Sequence, residues 1–141
     1  MKNFLKMLGT GAFLCLLLAV PGVAQIANGL DFTTTFPFWA GTAKLPPGTY
    51  TISQSDQMQN ILKLTSKDGK HTAMVEFMAT QAEDAHAATD VSFHRYGTAE
   101  YLTLIWVGGQ KYGMKLEPTK AEKKAAAGAK PETHSVSGTA K

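Results

Sequence analysis

The sequence predicts an all-β domain: a small antiparallel β-sandwich or barrel of about seven strands, with a short C-terminal helix and a disordered tail. Three observations predict it. Between residues 30 and 117 apolar side chains recur with period two in short stretches. Gly, Pro and Asp turn signals separate those stretches. No helix-length segment joins any two of them, which excludes βαβ spacing and a nucleotide-binding α/β fold. The chain has 141 residues, 44% hydrophobic and 18% charged, enough for one buried core and too apolar for a disordered chain. Its single cysteine rules out a disulfide scaffold.

The elements follow in order. Residues 30–39 put Phe32, Thr34, Phe36 and Phe38 on one face; Pro37 lacks an N–H, so this strand is an edge, bent or bulged one. Leu45-Pro46-Pro47-Gly48-Thr49-Tyr50 is a turn feeding a strand over 50–54, and the polar run 55–60 is a loop. A strand over 61–66 turns at Lys67-Asp68-Gly69-Lys70, where Gly69 can take positive φ. It returns over 71–80, with Ala73, Val75, Phe77 and Ala79 opposite Met74, Glu76 and Met78. Residues 81–89, Ala-rich between polar flanks, read as a mobile loop. A strand over 90–96 turns Val91 and Phe93 inward. Residues 100–107 are apolar on both faces, which marks a central strand. Gly108-Gly109 leads to a last strand over 111–116. This β domain occupies 25–117. Thr119-Lys120-Ala121-Glu122 is a capping-box pattern, with Thr119 as N-cap, opening a short helix within 118–127. Residues 128–141 hold almost no apolar bulk and read as a disordered tail.

The first 24 residues have the layout of a secretory signal peptide. Lys2 and Lys6 form a positive region, an apolar run extends to Val20, and Gly22-Val23-Ala24 offers small residues for cleavage after Ala24. Its uninterrupted apolar stretch is well short of the ~20 residues that span a bilayer, so no stable membrane insertion is expected after cleavage. Export to the periplasm or the cell exterior is expected. Cleavage removes Cys15, and with it any cysteine nucleophile or thiolate ligand. It also resolves the overall charge of +3. Five Lys against two Glu make the segment from Pro118 basic, whereas residues 25–117 carry seven basic and nine acidic side chains. The body therefore has no positive excess for nucleic acid, and the tail has no aromatic side chain to stack on a base.

LPPGTYTI (45–52), KDGK (67–70), VSFHRYG (91–97), YLTLIW (101–106) and GMKLEPTKAE (113–122) occur in that order. Together they resemble a family of small secreted β-rich proteins, without an assigned activity, that is abundant in acidobacteria. The resemblance covers about residues 30–125. It implies export and a compact β fold, and it supplies no catalytic residue. Pro47 stands where the family more usually has a small residue, and the Ala/Lys tail is longer.

Few residues here could carry chemistry. The imidazoles His71, His86, His94 and His134 form no short pair of zinc-ligand spacing, so no metal or other cofactor is expected. Glu83, Asp84 and His86 share a loop that could hold a divalent ion only weakly. No G-x-S-x-G elbow and no phosphate-binding glycine loop occurs, and the acids cannot be paired from sequence, so no catalytic residue is nominated. Arg95, the only arginine, follows Val91 and Phe93 on one strand face, with His94 and Tyr96 on the other. It either pairs with Glu76 or Glu100 across strands, the favoured reading, or holds a ligand carboxylate.

The leading expectation is a non-catalytic exported domain, structural or contacting an envelope protein, with an exposed patch around Phe36, Phe38 and Trp39. The second is a carrier or sensor of a small apolar or anionic ligand. Its cavity would be lined by Phe77, Phe93 and Trp106, with Arg95 at the mouth beside His94 and Tyr96. A hydrolase ranks third.

Overall fold

The computed structural model describes residue 26 and residues 28–141; the expected signal segment lies outside them. Ten strands and a helix follow in order: β1 (Leu30–Thr34), β2 (Phe38–Ala40), β3 (Ala43–Leu45), β4 (Gly48–Gln54), β5 (Ile61–Ser66), β6 (Thr72–Gln81), β7 (Asp90–Tyr96), β8 (Ala99–Trp106), β9 (Tyr112–Leu116), α1 (Lys120–Gly128) and β10 (Glu132–Ala140). The sheet runs β3-β2-β8-β7-β10-β1-β4-β5-β6-β9, and β8 also pairs with β9. That pairing closes eight antiparallel staves into a barrel and leaves β2 and β3 as an added hairpin. The all-β expectation holds, and of its two forms the barrel is the one realised.

The expected strand over 30–39 is two strands. Pro37 cannot donate to a ladder, the chain bends across 35–37, and β2 leaves the barrel wall. Strands β8 and β9 pair only over Leu104–Trp106, so the earlier part of β8 has a free edge. Strand β2 takes it, with Trp39 beside Tyr101 in parallel register. The hairpin then drives Phe38 into the barrel. Its fully buried ring lies 5.9 Å from Phe32, 5.2 Å from Tyr50 and 5.4 Å from Phe93, two of these contacts edge-on. Leu30, Ile52, Leu62, Leu64, Ile105 and Met114 fill the rest of the interior. The Tyr50 hydroxyl donates to the Pro46 carbonyl and fixes the proline turn beside this plug.

A bulge in β8 explains why its two faces are not equivalent. Ser92 pairs with Leu104 but Phe93 with Leu102, so Thr103 is an extra residue. Glu100 and Leu102 are buried before it and Ile105 after it, while Leu104 and Trp106 are half-buried. The central-strand expectation is met at Tyr101, whose outer face is covered by Trp39 at 6.5 Å in a stacked arrangement.

One expectation is refined and one corrected. Residues 82–89 form a loop, as expected, and backbone hydrogen bonds tie it to the turn before β9. The His86 N–H donates to the Gln110 carbonyl and the Gly109 N–H to the His86 carbonyl, while the Ala82 N–H reaches Lys111. The expected disordered tail contains β10, which pairs with β1 over Leu30–Phe32 and with β7 over Asp90–Arg95. Low apolar content misled because this stave is held by two backbone ladders, and its Thr, Ser and Val residues suit extended backbone. A Cβ at Gly138 would meet Thr89 Cγ2 at 3.0 Å and Leu30 Cδ2 at 3.1 Å, so glycine lets β10 pack closely there. Helix α1 ends one residue beyond the expected 127, at Gly128, with Thr119 as N-cap: its Oγ1 accepts from the Glu122 N–H at 3.2 Å.

Deleting residues 129–141 is expected to abolish the cooperative unfolding transition, followed by circular dichroism in urea. A truncated chain with the parent's midpoint would show that the barrel closes without β10.

Candidate functional site

The six residues expected to bind a ligand occupy four places. Phe93 and Phe77 are buried in the core. Arg95 stands at the barrel rim. His94 and Tyr96 lie on the outer wall beside α1. Trp106 is also outside, flat across Gly113, where a Cβ would sit 2.7 Å from its ring. They do not line one cavity, because the barrel interior where it was expected is filled by the core around Phe38. The Phe36-Phe38-Trp39 patch is corrected likewise: Phe38 is fully buried, and Phe36 packs edge-on to Phe93 at 5.1 Å.

Arg95 belongs to a charged cluster built by three neighbouring staves. Register sets Glu132 of β10 against Arg95 of β7, and Arg95 against Glu100 of β8. His134, two residues along β10, turns to the same side. Glu100 is 4% exposed. Its Oε2 lies 2.6 Å from His134 Nε2, and its Oε1 lies 4.0 Å from Arg95 Nη1. Arg95 Nε donates to Glu132 Oε2 at 3.0 Å, and Nη2 reaches the same oxygen. These hydrogen bonds and the charge of Glu132 hold the guanidinium above its ordinary pKa. The favoured sequence reading, a cross-strand ion pair, describes Arg95, with Glu132 as the closer partner. The buried Glu100 carboxylate thus has the His134 ring at one oxygen and the Arg95 charge near the other, while both partners remain partly exposed.

A carboxylate-oriented histidine is also how a general base is held. The His134 ring is hydrogen-bonded to Glu100, and among the described residues no hydroxyl is hydrogen-bonded to it. Nor do the described residues group three or more His, Cys, Asp or Glu side chains for a metal ion. His86, weighed with Glu83 and Asp84 as a weak ion site, instead stacks on Trp106 at 5.1 Å and meets Asp90 Oδ2 at 2.8 Å.

The second cluster joins α1 to the barrel wall. Glu122 is buried, and its Oε1 lies 3.4 Å from His94 Nδ1 without the geometry of a hydrogen bond. Burial pushes its carboxyl above the ordinary glutamate range, opposed by the His94 ring. Tyr96 packs edge-on to His94 at 6.4 Å and to Tyr101 at 5.8 Å; burial, and then the Glu122 charge, raise its pKa. Beside this seam is an apolar groove of about 550 Å³, lined by Trp39, Gly41, Thr42, Thr119, Lys120 and Ala121. Lys44 Nζ sits 5.9 Å over the Trp39 ring.

Glu132 and the burial of Glu122 were missed from the sequence, and His134 was not linked to Glu100. The period-two run Thr133-His134-Ser135-Val136-Ser137 was the available signal for β10. Comparison with known proteins finds no matching family model, curated protein or solved structure.

Glu122→Gln tests the seam. A carboxyl whose folded pKa is raised binds its proton more tightly in the fold, so its contribution to stability is lost as pH rises above the ordinary value of 4.5. Urea midpoints should therefore move in favour of E122Q between pH 4.5 and pH 7.5; parallel curves would contradict the burial of the charge.

Proposed function

We propose that the protein is an exported, non-catalytic β-barrel that works by contact with a protein of the cell envelope, through the outer face of β6. Met74 and Met78 carry this reading. They are 58% and 54% exposed on the outer side of the longest stave, each set across from a lysine, Lys63 and Lys115. Methionine is flexible and polarizable, which suits an adaptable contact surface. Two further features support the reading. The half-buried His86, His94 and His134 face the carboxylates of Asp90, Glu122 and Glu100 in turn. The outward residues Thr51, Ser53, Lys63, Thr65, Thr133, Ser135 and Ser137 give much of the wall a water-compatible face. Export rests on the signal layout of residues 1–24 and on the family resemblance.

A photo-crosslinking residue at position 78 should yield one adduct of discrete mass in cells, on a chain recovered outside the cytoplasm and beginning at Gln25. Met74→Lys with a crosslinker retained at 78 should abolish the adduct while the urea midpoint holds. Absence of an adduct, or one indifferent to the substitution, would remove the contact reading.

The second reading, a carrier or sensor of a small apolar or anionic ligand, is favoured by the groove beside Trp39. Its site is then on the outer wall and not within the sheet.

A further inference from the structure

We propose that the groove beside Trp39 binds a single-chain anionic amphiphile, an alkyl carboxylate of fatty-acid type. This deepens the ligand reading and is independent of the contact face on β6. The groove's volume of about 550 Å³ lies within the ordinary range for small-molecule sites. Trp39, the Gly41-Thr42 turn and the start of α1 line it, and the one charged residue among these is Lys120. Lys44 is outside that lining but stands over the same ring, with its Nζ 5.9 Å from the centroid.

Charge complementarity selects the headgroup. Lys44, Lys120, Lys123 and Lys124 are exposed and form no ion pair among the described residues. The acid of that helix, Glu122, is turned away to His94 and buried. Glu117, the remaining acid nearby in sequence, does not line the groove. An unpaired cation at an apolar trough fits a molecule with one anionic head and one apolar chain. The chain covers Trp39 and Ala121 while the carboxylate meets Lys120 and Lys44.

Calorimetric titration of the purified protein with dodecanoate, below its micelle concentration, is expected to show saturable one-to-one binding. Dodecyltrimethylammonium, of equal chain length and opposite charge, should bind at least tenfold more weakly. The double variant K44Q/K120Q, changed only at exposed side chains, should weaken dodecanoate about 3- to 10-fold, the effect of losing two exposed ion pairs. Ala121→Phe, which fills the trough, should abolish binding; K44Q/K120Q keeps the test decisive if that variant fails to fold. M74K/M78K should bind dodecanoate like the parent, so failure of the contact reading and failure of this site are separable. No saturable heat, equal binding of the cationic amphiphile, or binding indifferent to both groove variants would overturn the proposal. Capture by phosphatidylglycerol vesicles without dodecanoate binding would also overturn it, in favour of a membrane surface.

Discussion

A sheet becomes a barrel only when every gap in its ring is bridged, and besides the β8–β9 seam one gap lies between β7 and β1. Strand β10 bridges it with hydrogen-bond ladders on both sides, and almost everything else follows from that closure. With no open edge between those staves, the inward side chains of all eight face one another, and Phe38 can fill the space they leave. The weight is carried by backbone and by smallness. A Cβ at Gly138 would crowd Thr89 and Leu30, and Val136 is the one aliphatic side chain that β10 packs against the core.

The same closure makes the polar rim. Glu132 and His134 reach Arg95 and Glu100 only because β10 lies antiparallel to β7 in one register. A slip of one residue would turn both side chains to the outer face. Glu100 then has a histidine on one oxygen and an arginine near the other, so a carboxylate can be buried at the barrel end. Across the wall, β7 presents His94 and Tyr96 to α1, whose Glu122 is buried against them. The helix in turn forms one side of the Trp39 groove. A single stave thus organises the rim on one face, and the strand beside it organises the helix seam on the other.

Strands with a strong period were legible in the sequence. Ile61–Ser66 and Asp90–Tyr96 appear with the expected bounds, because alternating apolar residues flanked by Gly or Asp turns leave little freedom. The N-cap at Thr119 was legible as local chemistry. What could not be read was whatever depended on a distant partner. Pro37 announced a bend but not that β2 would leave the wall, since that depends on the point where β8 and β9 diverge. Ser135, Val136 and Ser137 look like tail residues until β1 and β7 are placed beside them. The candidate clusters failed for the same reason. Arg95 stood out as the only arginine, but Glu132, its closer partner, lies 37 positions away in a stretch without apolar bulk.

The functional reading inherits this architecture. The barrel interior is filled by the core, so the surfaces proposed for binding are outside: the methionines of β6 and the trough beside Trp39. Both presuppose the closed barrel. Backbone amide hydrogen exchange tests that closure most directly. If β10 is a stave, the amides of Glu132–Ala140 that bond to β1 and β7 should exchange as slowly as those of β7 and lose protection together with them in rising denaturant. Rapid exchange throughout 132–140, with β7 and β1 still protected, would contradict the account.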